Sequence, residues 1–296
     1  MENNEIIKSL ISQNYHEIII IQDSCKGIVM KALDEENKLV LLKTFYKDDE
    51  LCTFMLEPNF NRFIPKELFF LKQLSKYEYV PKLIKYLDEN NWATVVMEYL
   101  GGDWMNIGEF LMILNEEKLI KTIMRNLISI IYEMSEIGYY HRDIKPGNIM
   151  VNRVTLEVKV IDLEDLFYCK SDIPICNSIL GTIGFQSPET YCEAPYNLKQ
   201  SLVCNIGCVA YFCLELQLAF KSEIETFDCC FPDMKMCSEL AQSFITDCIK
   251  INPKQRIEFN DLLSHAWFVD DAKGYSYIPV VIMNSLWKLF NKIVTI

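Results

Sequence analysis

The sequence has 296 residues, half of them hydrophobic, and a formal net charge of -12 at pH 7. A chain of this length and apolar content can bury a large core in one domain or two lobes, which excludes a disordered protein. The sequence pI near 4.9 argues against nucleic acid or an anionic membrane surface as a partner, because both are polyanions. Basic peptides or proteins are the favoured partners.

Cysteine usage and the chain start indicate the compartment. The 12 cysteines include no pair at C-x-x-C spacing, and only His16, His141 and His265 could complete a Cys/His metal set. Reduced, buried thiols of an intracellular protein are the favoured interpretation. Because the start lacks the features of a signal peptide and no apolar run could span a bilayer, we expect a cytoplasmic or nuclear protein without stable membrane insertion.

The first third of the chain reads as strands with one helix. β-branched and apolar runs predict strands at residues 15–21, 27–33, 39–45, 80–83 and 92–99. Lys43 follows apolar residues within the third run. Apolar residues at helical spacing predict a helix over Pro65–Leu74, with Glu67 near its start and the proline suited to the first turn. The connection from Lys47 to Arg62 is longer than a strand-to-helix link needs.

A long amphipathic helix and a polar loop dominate the middle of the chain. The apolar stripe predicted for Glu117–Gly138 consists of Ile120, Ile123, Met124, Leu127, Ile128, Ile131 and Met134. Beyond it, residues 141–150 read H-R-D-I-K-P-G-N-I-M, which places Asn148 five residues after Asp143. A buried-looking strand, Val158–Ile161, then ends at the carboxylate of Asp162.

This combination resembles the catalytic region of eukaryotic-type Ser/Thr protein kinases, over residues 15–270. Asp162-Leu163-Glu164 stands where that family has Asp-Phe-Gly, and Ser187-Pro188-Glu189 where it has Ala-Pro-Glu. Leu202 replaces an Asp that braces the catalytic loop in the family. The PIM group also lacks that Asp, and the ending His265–Phe268 resembles that group too. The chain is therefore most similar to PIM/CAMK-like kinases, with a degenerate Gly-rich loop.

The resemblance implies an α+β, bilobal kinase-like fold, with a small β-rich lobe holding one main helix and a large, mainly helical lobe. The expected organisation is an N-terminal extension at residues 1–14, an N-lobe at 15–100, a C-lobe at 101–270 and an amphipathic tail at 271–296 docked on the C-lobe. A pair between Glu189 and Arg256 is expected to be structural.

The implied activity is transfer of the ATP γ-phosphoryl group to Ser or Thr hydroxyls of protein substrates. Asp143 would orient the hydroxyl, and Lys145 would stabilise the moving charge. Asn148 and Asp162 would hold Mg²⁺. Lys43, held by Glu67, would bind phosphates; Glu57 is a competing partner for this lysine.

Two further parts of the nucleotide site follow from the same resemblance. Gln22, Ser24, Gly27 and Val29 align with the Gly-rich loop that covers the phosphates, but only one of its glycines is kept, which predicts weak ATP binding. Met97 falls at the gatekeeper position before the hinge. Backbone groups of the hinge residues, from Glu98 to Leu100, would contact adenine.

A pseudokinase that binds a partner without phosphoryl transfer is the alternative. It is motivated by the replaced glycines, by Glu164 and by Leu202. Measuring the thermal shift with Mg-ATP and then autophosphorylation distinguishes the two hypotheses.

Overall fold

The computed structural model describes residues 2–47, 53–58, 60–192 and 194–269. The predicted tail helix lies outside these residues. The described chain forms two compact units. The first contains the chain up to Gly102 together with Asn148–Met150 and Lys159–Tyr168, and the second contains the rest of the described chain.

A five-stranded antiparallel sheet, in the order β1-β2-β3-β7-β6, forms the centre of the first unit. Its strands are β1 (His16–Ser24), β2 (Gly27–Leu33), β3 (Leu39–Tyr46), β6 (Leu83–Asp88) and β7 (Trp92–Glu98). Between β3 and the helix α2 (Lys66–Leu74), the strands β4 (Phe54–Glu57) and β5 (Arg62–Pro65) form a hairpin that the sequence did not predict.

Two predicted strands are corrected by the sheet. β1 runs on to Ser24 because only two residues separate it from β2, so that Ser24 pairs with Gly27. The run predicted at residues 80–83 instead forms its strand at Leu83–Asp88, where β6 pairs with β7 despite its mixed polarity. The helix begins at Lys66, and Pro65 is its N-cap.

The N-terminal segment predicted as an extension contributes to the core of the first unit. It forms α1 (Glu2–Ser12), which buries Ile6 and Leu10. These side chains belong to one hydrophobic cluster with Met30 of β2 and Leu42 of β3. The helix thereby covers one face of the sheet that carries Lys43 on its third strand.

The second unit is mainly helical. Its helices are α3 (Ile107–Ile113), α4 (Glu117–Glu136), α5 (Leu198–Glu215), α6 (Glu223–Asp228), α7 (Glu239–Cys248) and α8 (Ala266–Val269). The whole predicted stripe of α4 is buried, which confirms the helix and its core face. None of the helices in the described part of the chain is long and apolar enough to cross a membrane.

Short strands and 3-10 helices complete the chain. The strands are β8 (Trp104–Asn106), β9 (Tyr139–Tyr140), β10 (Ile149–Asn152), β11 (Val158–Val160), β12 (Phe167–Tyr168), β13 (Ile175–Cys176) and β14 (Tyr196–Asn197). The 3-10 helices are Pro146–Asn148, Leu163–Asp165, Pro188–Tyr191, Pro253–Gln255 and Phe259–Ser264.

The predicted structural ion pair of the second unit is present. Arg256 donates from Nη1 and Nη2 to the two carboxylate oxygens of Glu189, at 2.6 and 2.7 Å. Its side chain is fully buried, so the carboxylate is the counterion that makes burial of the guanidinium tolerable. The pair joins the 3-10 helix Pro188–Tyr191 to the end of the 3-10 helix Pro253–Gln255.

Candidate active site

Lys43 forms an ion-paired cluster within the first unit. It lies in β3 opposite Val29 and Val95, and its ammonium contacts Glu67 of α2 and Asp162 Oδ1, the latter at 2.8 Å. Burial lowers the pKa of Lys43, but the two carboxylates outweigh it and raise this pKa overall. The predicted pairing with Glu67 is thus present, and the lysine is held as a cation.

The competing carboxylate has other partners. Glu57 accepts from Arg62 Nε at 2.6 Å and from Lys72 Nζ at 2.8 Å. It therefore ties the β4–β5 hairpin to α2. Glu67, which is 3 % exposed, is the carboxylate that faces Lys43.

The β1–β2 turn carries the residues aligned with the Gly-rich loop. Gln22 is exposed and pairs with Val29 across the two strands. Ser24 Oγ donates to the carbonyl of Gly27 at 3.0 Å. A Cβ on Gly27, which has φ +149°, would lie 1.9 Å from the carbonyl oxygen of Thr44. The retained glycine is therefore required by the close approach of β3, whatever it contributes to phosphate binding.

The residues predicted to contact adenine lie at and just beyond the end of β7. Met97 is buried, as expected of a gatekeeper side chain. Glu98 donates its backbone N–H to the carbonyl of Lys82 at 2.8 Å, and its carboxylate accepts from Lys159 Nζ at 2.7 Å. The N–H of Glu98 is therefore used within the unit, and the contact of other backbone groups of Glu98–Leu100 with adenine stays a prediction. Leu100 follows in irregular backbone.

Asn148 and Asp162 lie in neighbouring segments of the first unit. The N–H of Ile161, next to Asp162, donates to the carbonyl of Asn148 at 3.0 Å. The two side chains offer amide and carboxylate oxygens, the hard ligands that Mg²⁺ prefers. In the described residues no group of three or more His, Cys, Asp or Glu side chains forms a metal site. Two protein ligands nevertheless fit Mg²⁺, which binds through few carboxylates and takes its other ligands from phosphates and water.

Asp143 and Lys145 belong to a compact polar cluster in the second unit. Lys145 Nζ lies 2.7 Å from Asp143 Oδ2, and Thr182 Oγ1 donates to Asp143 Oδ1 at 2.8 Å. The lysine also donates to Thr182 Oγ1, at 2.8 Å. A carboxylate and an ammonium are thereby brought together at one hydroxyl. Thr182 was not among the predicted site residues, although the Gly181-Thr182 dipeptide was a signal for it.

Two side-chain amides hold the loop that carries Asp143. Asn205 Nδ2 of α5 donates to the carbonyls of Ile144 and Phe185, at 2.6 and 2.9 Å. Asn106 Nδ2 donates to the carbonyl of Pro146 at 2.8 Å. Leu202 cannot make the bond of the Asp it replaces, and Asn205, three positions later on the same helix, ties the loop by a different contact. Sequence reasoning identified the loss and missed this second contact.

Asn205→Ala is expected to lower the free energy of unfolding by about 1–3 kcal/mol, because two buried carbonyls lose their donor. Chemical denaturation measures the change. Asn126→Ala is the matched control, since Asn126 Nδ2 also donates to one carbonyl, that of Leu156, away from this loop. Phosphoryl transfer should fall in the Asn205 variant and persist in the control; equal activity in both would contradict a bracing role.

Arg142 contacts two side chains of the segment that leads to Ser187-Pro188-Glu189. Its Nη1 lies 3.0 Å from Ser178 Oγ and 3.7 Å from Cys176 Sγ. Burial raises the pKa of the Cys176 thiol, but hydrogen bonds with Ser178, Tyr196 and Arg142 lower it overall. A hydroxyl and a polarised thiol therefore lie against the guanidinium.

An antiparallel five-stranded sheet with a lysine–glutamate pair, followed by a helical unit with an aspartate–lysine cluster, defines a phosphoryl-transfer protein of the kinase class. The family model described as "Protein kinase domain" matches residues 23–268. The chain therefore belongs to the protein kinase family, whose phosphoryl donor is ATP and whose substrates are proteins. The predicted family and the α+β kinase fold are confirmed.

Curated relatives agree with this assignment. Serine/threonine-protein kinase 1 of African swine fever virus (isolate Pig/Kenya/KEN-50/1950) is 32% identical over 206 residues, which cover 68% of this chain and 67% of the viral protein. Serine/threonine-protein kinase cds1 of Schizosaccharomyces pombe is 26% identical over 280 residues, or 87% of this chain and 59% of the yeast protein. The mouse Citron Rho-interacting kinase is 29% identical over 288 residues, which are 88% of this chain and 13% of the mouse protein.

Proposed function

We propose that this kinase transfers the γ-phosphoryl group of ATP to Ser and Thr hydroxyls with the residues described above. The observation that carries the proposal is the ion pairing of Lys43 with both Glu67 and Asp162. A largely buried cation fixed by two carboxylates, as Lys43 is with its side chain 18% exposed, is a costly arrangement for a fold to keep without a ligand to bind. The names of the viral and yeast relatives support Ser and Thr as acceptors.

The roles follow from the chemistry of phosphoryl transfer, which requires positioning and charge neutralisation more than covalent chemistry. Lys43 binds phosphate oxygens, and Glu67 fixes its ammonium. Asn148 and Asp162 would hold Mg²⁺, which when bound neutralises charge on the phosphates. Asp143 accepts a hydrogen bond from the substrate hydroxyl, in the way it now accepts one from Thr182. Lys145 supplies positive charge beside that hydroxyl.

The pseudokinase alternative is not favoured, because each of the six residues with a role in transfer is present and five of them make close polar contacts within their own unit. The test is incubation of the full chain with labelled ATP, Mg²⁺ and a positional library of Ser, Thr and Tyr peptides. We expect label on Ser and Thr peptides. A thermal shift with Mg-ATP in the absence of transfer would instead identify a pseudokinase.

The same library tests substrate charge. The net charge of -12 favours basic peptides by long-range attraction. Gly147, which precedes Asn148, lacks the carboxylate that many basophilic kinases place there. We therefore propose a preference for basic residues that is weak at any single position and weakens further as salt is added.

A further inference from the structure

A lysine of the β1–β2 turn is paired with the residue that replaces the glycine of the Asp-Phe-Gly motif. Lys26 Nζ lies 2.6 Å from Glu164 Oε1, across 138 positions of sequence and within the first unit. Glu164 departs from the family pattern to which the sequence is similar, and Lys26 directly precedes Gly27, the one glycine of the loop that is kept. The contact links the turn aligned with the phosphate-covering loop to the segment that carries Asp162.

The two partners differ in how firmly they are held. The Glu164 side chain is 12% exposed, whereas that of Lys26 is 52% exposed. Glu164 belongs to the 3-10 helix Leu163–Asp165, which lies against α2 and in which Leu163 is fully buried. The glutamate is therefore the more rigidly held partner, and the lysine at the tip of the turn forms the ion pair by reaching toward it.

The surroundings of the pair favour the charged lysine. The hydrogen bond to Glu164 raises the pKa of Lys26 despite partial burial, and the negative charges of Glu164, Asp165 and Asp162 raise it further. The carbonyl of Lys26 also accepts from the backbone N–H of Tyr46 in β3, at 3.1 Å. The turn is thus held at its backbone by the sheet and at its tip by the glutamate.

We infer that Lys26 and Glu164 form a latch that holds the β1–β2 turn closed on the Asp162 segment before nucleotide binds. In this arrangement Glu164 is a positioning residue that acts through Lys26. The expected effect of the latch is tighter ATP binding, and this part of the inference rests on the proposed function. Because Gln22 and Ser24 limit how closely the backbone can approach phosphates, and Gly27 serves the contact with β3, a fixed turn compensates for lost glycine contacts.

The first measurement uses the nucleotide-free protein. Lys26→Met, Glu164→Gln and the double variant are compared with wild type by amide hydrogen exchange of peptides that contain Cys25–Gly27. Each single variant should exchange several-fold faster in the turn, and the double variant no faster than either single one. Lys26→Arg should keep the wild-type rate because it keeps the cation. Unchanged exchange in both single variants overturns the latch.

The second measurement is the affinity for a non-hydrolysable ATP analogue by calorimetry, together with KM for ATP and kcat. Each single variant should weaken nucleotide affinity and raise KM by about fivefold, with kcat nearly unchanged and with no further loss in the double variant. If Lys26→Met weakens binding and Glu164→Gln does not, the lysine acts directly on phosphate and the latch is overturned.

Controls separate this inference from the proposed function. Lys38→Met removes a pair of similar type, that of Lys38 with Glu36 in the β2–β3 turn, and should leave nucleotide affinity and exchange at Cys25–Gly27 unchanged. If exchange at Cys25–Gly27 also becomes faster in Lys38→Met, the effect is not specific to the Lys26–Glu164 contact and the latch is overturned. If the wild-type protein binds no nucleotide, the proposed function fails. The hydrogen-exchange measurement, which is made without nucleotide, still tests whether the Lys26–Glu164 contact holds the turn.

Discussion

Lys43→Met is expected to lower phosphoryl transfer by about 100-fold to 1,000-fold, because it removes the fixed cation that would neutralise the transferring phosphates. Met has a similar length and keeps the apolar contacts of the stem in β3. The loss should appear in both nucleotide affinity and kcat, since the ammonium contacts Asp162 as well as Glu67. Steady-state kinetics with a phosphorylated-peptide readout measures it.

The same substitution leaves the carboxylate of Glu67 buried without its cation. Removing one partner of a buried ion pair lowers the free energy of unfolding by about 3–5 kcal/mol, and by less if the carboxyl takes up a proton. The double variant Lys43→Met/Glu67→Gln removes that unpaired carboxylate. Its melting temperature should therefore be higher than that of Lys43→Met, while phosphoryl transfer stays low. Lys85→Met, an exposed lysine of β6, is the matched control and should keep full activity. A folded Lys43→Met protein with wild-type transfer would remove this residue from the site.

Local pattern predicted the regular elements that carry the site. Apolar runs and helical spacing indicated the strand that holds Lys43, the helix that holds Glu67 and the buried stripe of α4. The roles of Lys43 and Glu67 came instead from the resemblance to the kinase family. The structure adds that Lys43 lies opposite β2 and β7 and that Glu67 is buried in α2.

Contacts between distant, irregular segments could not be predicted from the periodicity of apolar residues. Glu164 was read only as a lost glycine, and its partner Lys26 lies in a turn whose conformation depends on the approach of β3 at Gly27. The contact of Asn205 with Ile144 was missed because the sequence shows the lost Asp at position 202 and not the new donor. The β4–β5 hairpin was read as a long loop, since its strands are only four residues each.

The predicted domain limits were drawn by resemblance to the family, and contacts divide the chain differently. Asn148–Met150 and Lys159–Tyr168 group with the N-terminal part of the chain, although they follow Asp143 in sequence. The metal-binding residues proposed here, Asn148 and Asp162, therefore share a unit with Lys43. Asp143 and Lys145 belong to the other unit, so substitutions in the two groups should have separable kinetic signatures.

Asp143→Asn tests that separation. The variant keeps the size of the side chain but loses the carboxylate that accepts from Thr182 and pairs with Lys145. An amide is a poor proton acceptor, and general-base groups typically contribute 10²- to 10⁴-fold, so kcat should fall by about 100-fold or more. KM for ATP should stay within about twofold, because the proposed nucleotide contacts belong to the first unit.

The kinetics need a control for the charge change itself. Asp103→Asn makes the same substitution at a half-exposed aspartate of the second unit, where Asp103 pairs with Arg153 at 2.8 Å, and should leave kcat unchanged. Thr182→Ala removes the hydroxyl that donates to Asp143 Oδ1, and because it keeps the carboxylate of Asp143 and its pair with Lys145, it should lower kcat less than Asp143→Asn does. A fall in ATP affinity equal to the fall in kcat for Asp143→Asn would show that Asp143 acts on nucleotide binding, and the assignment of the hydroxyl-orienting role would then be wrong.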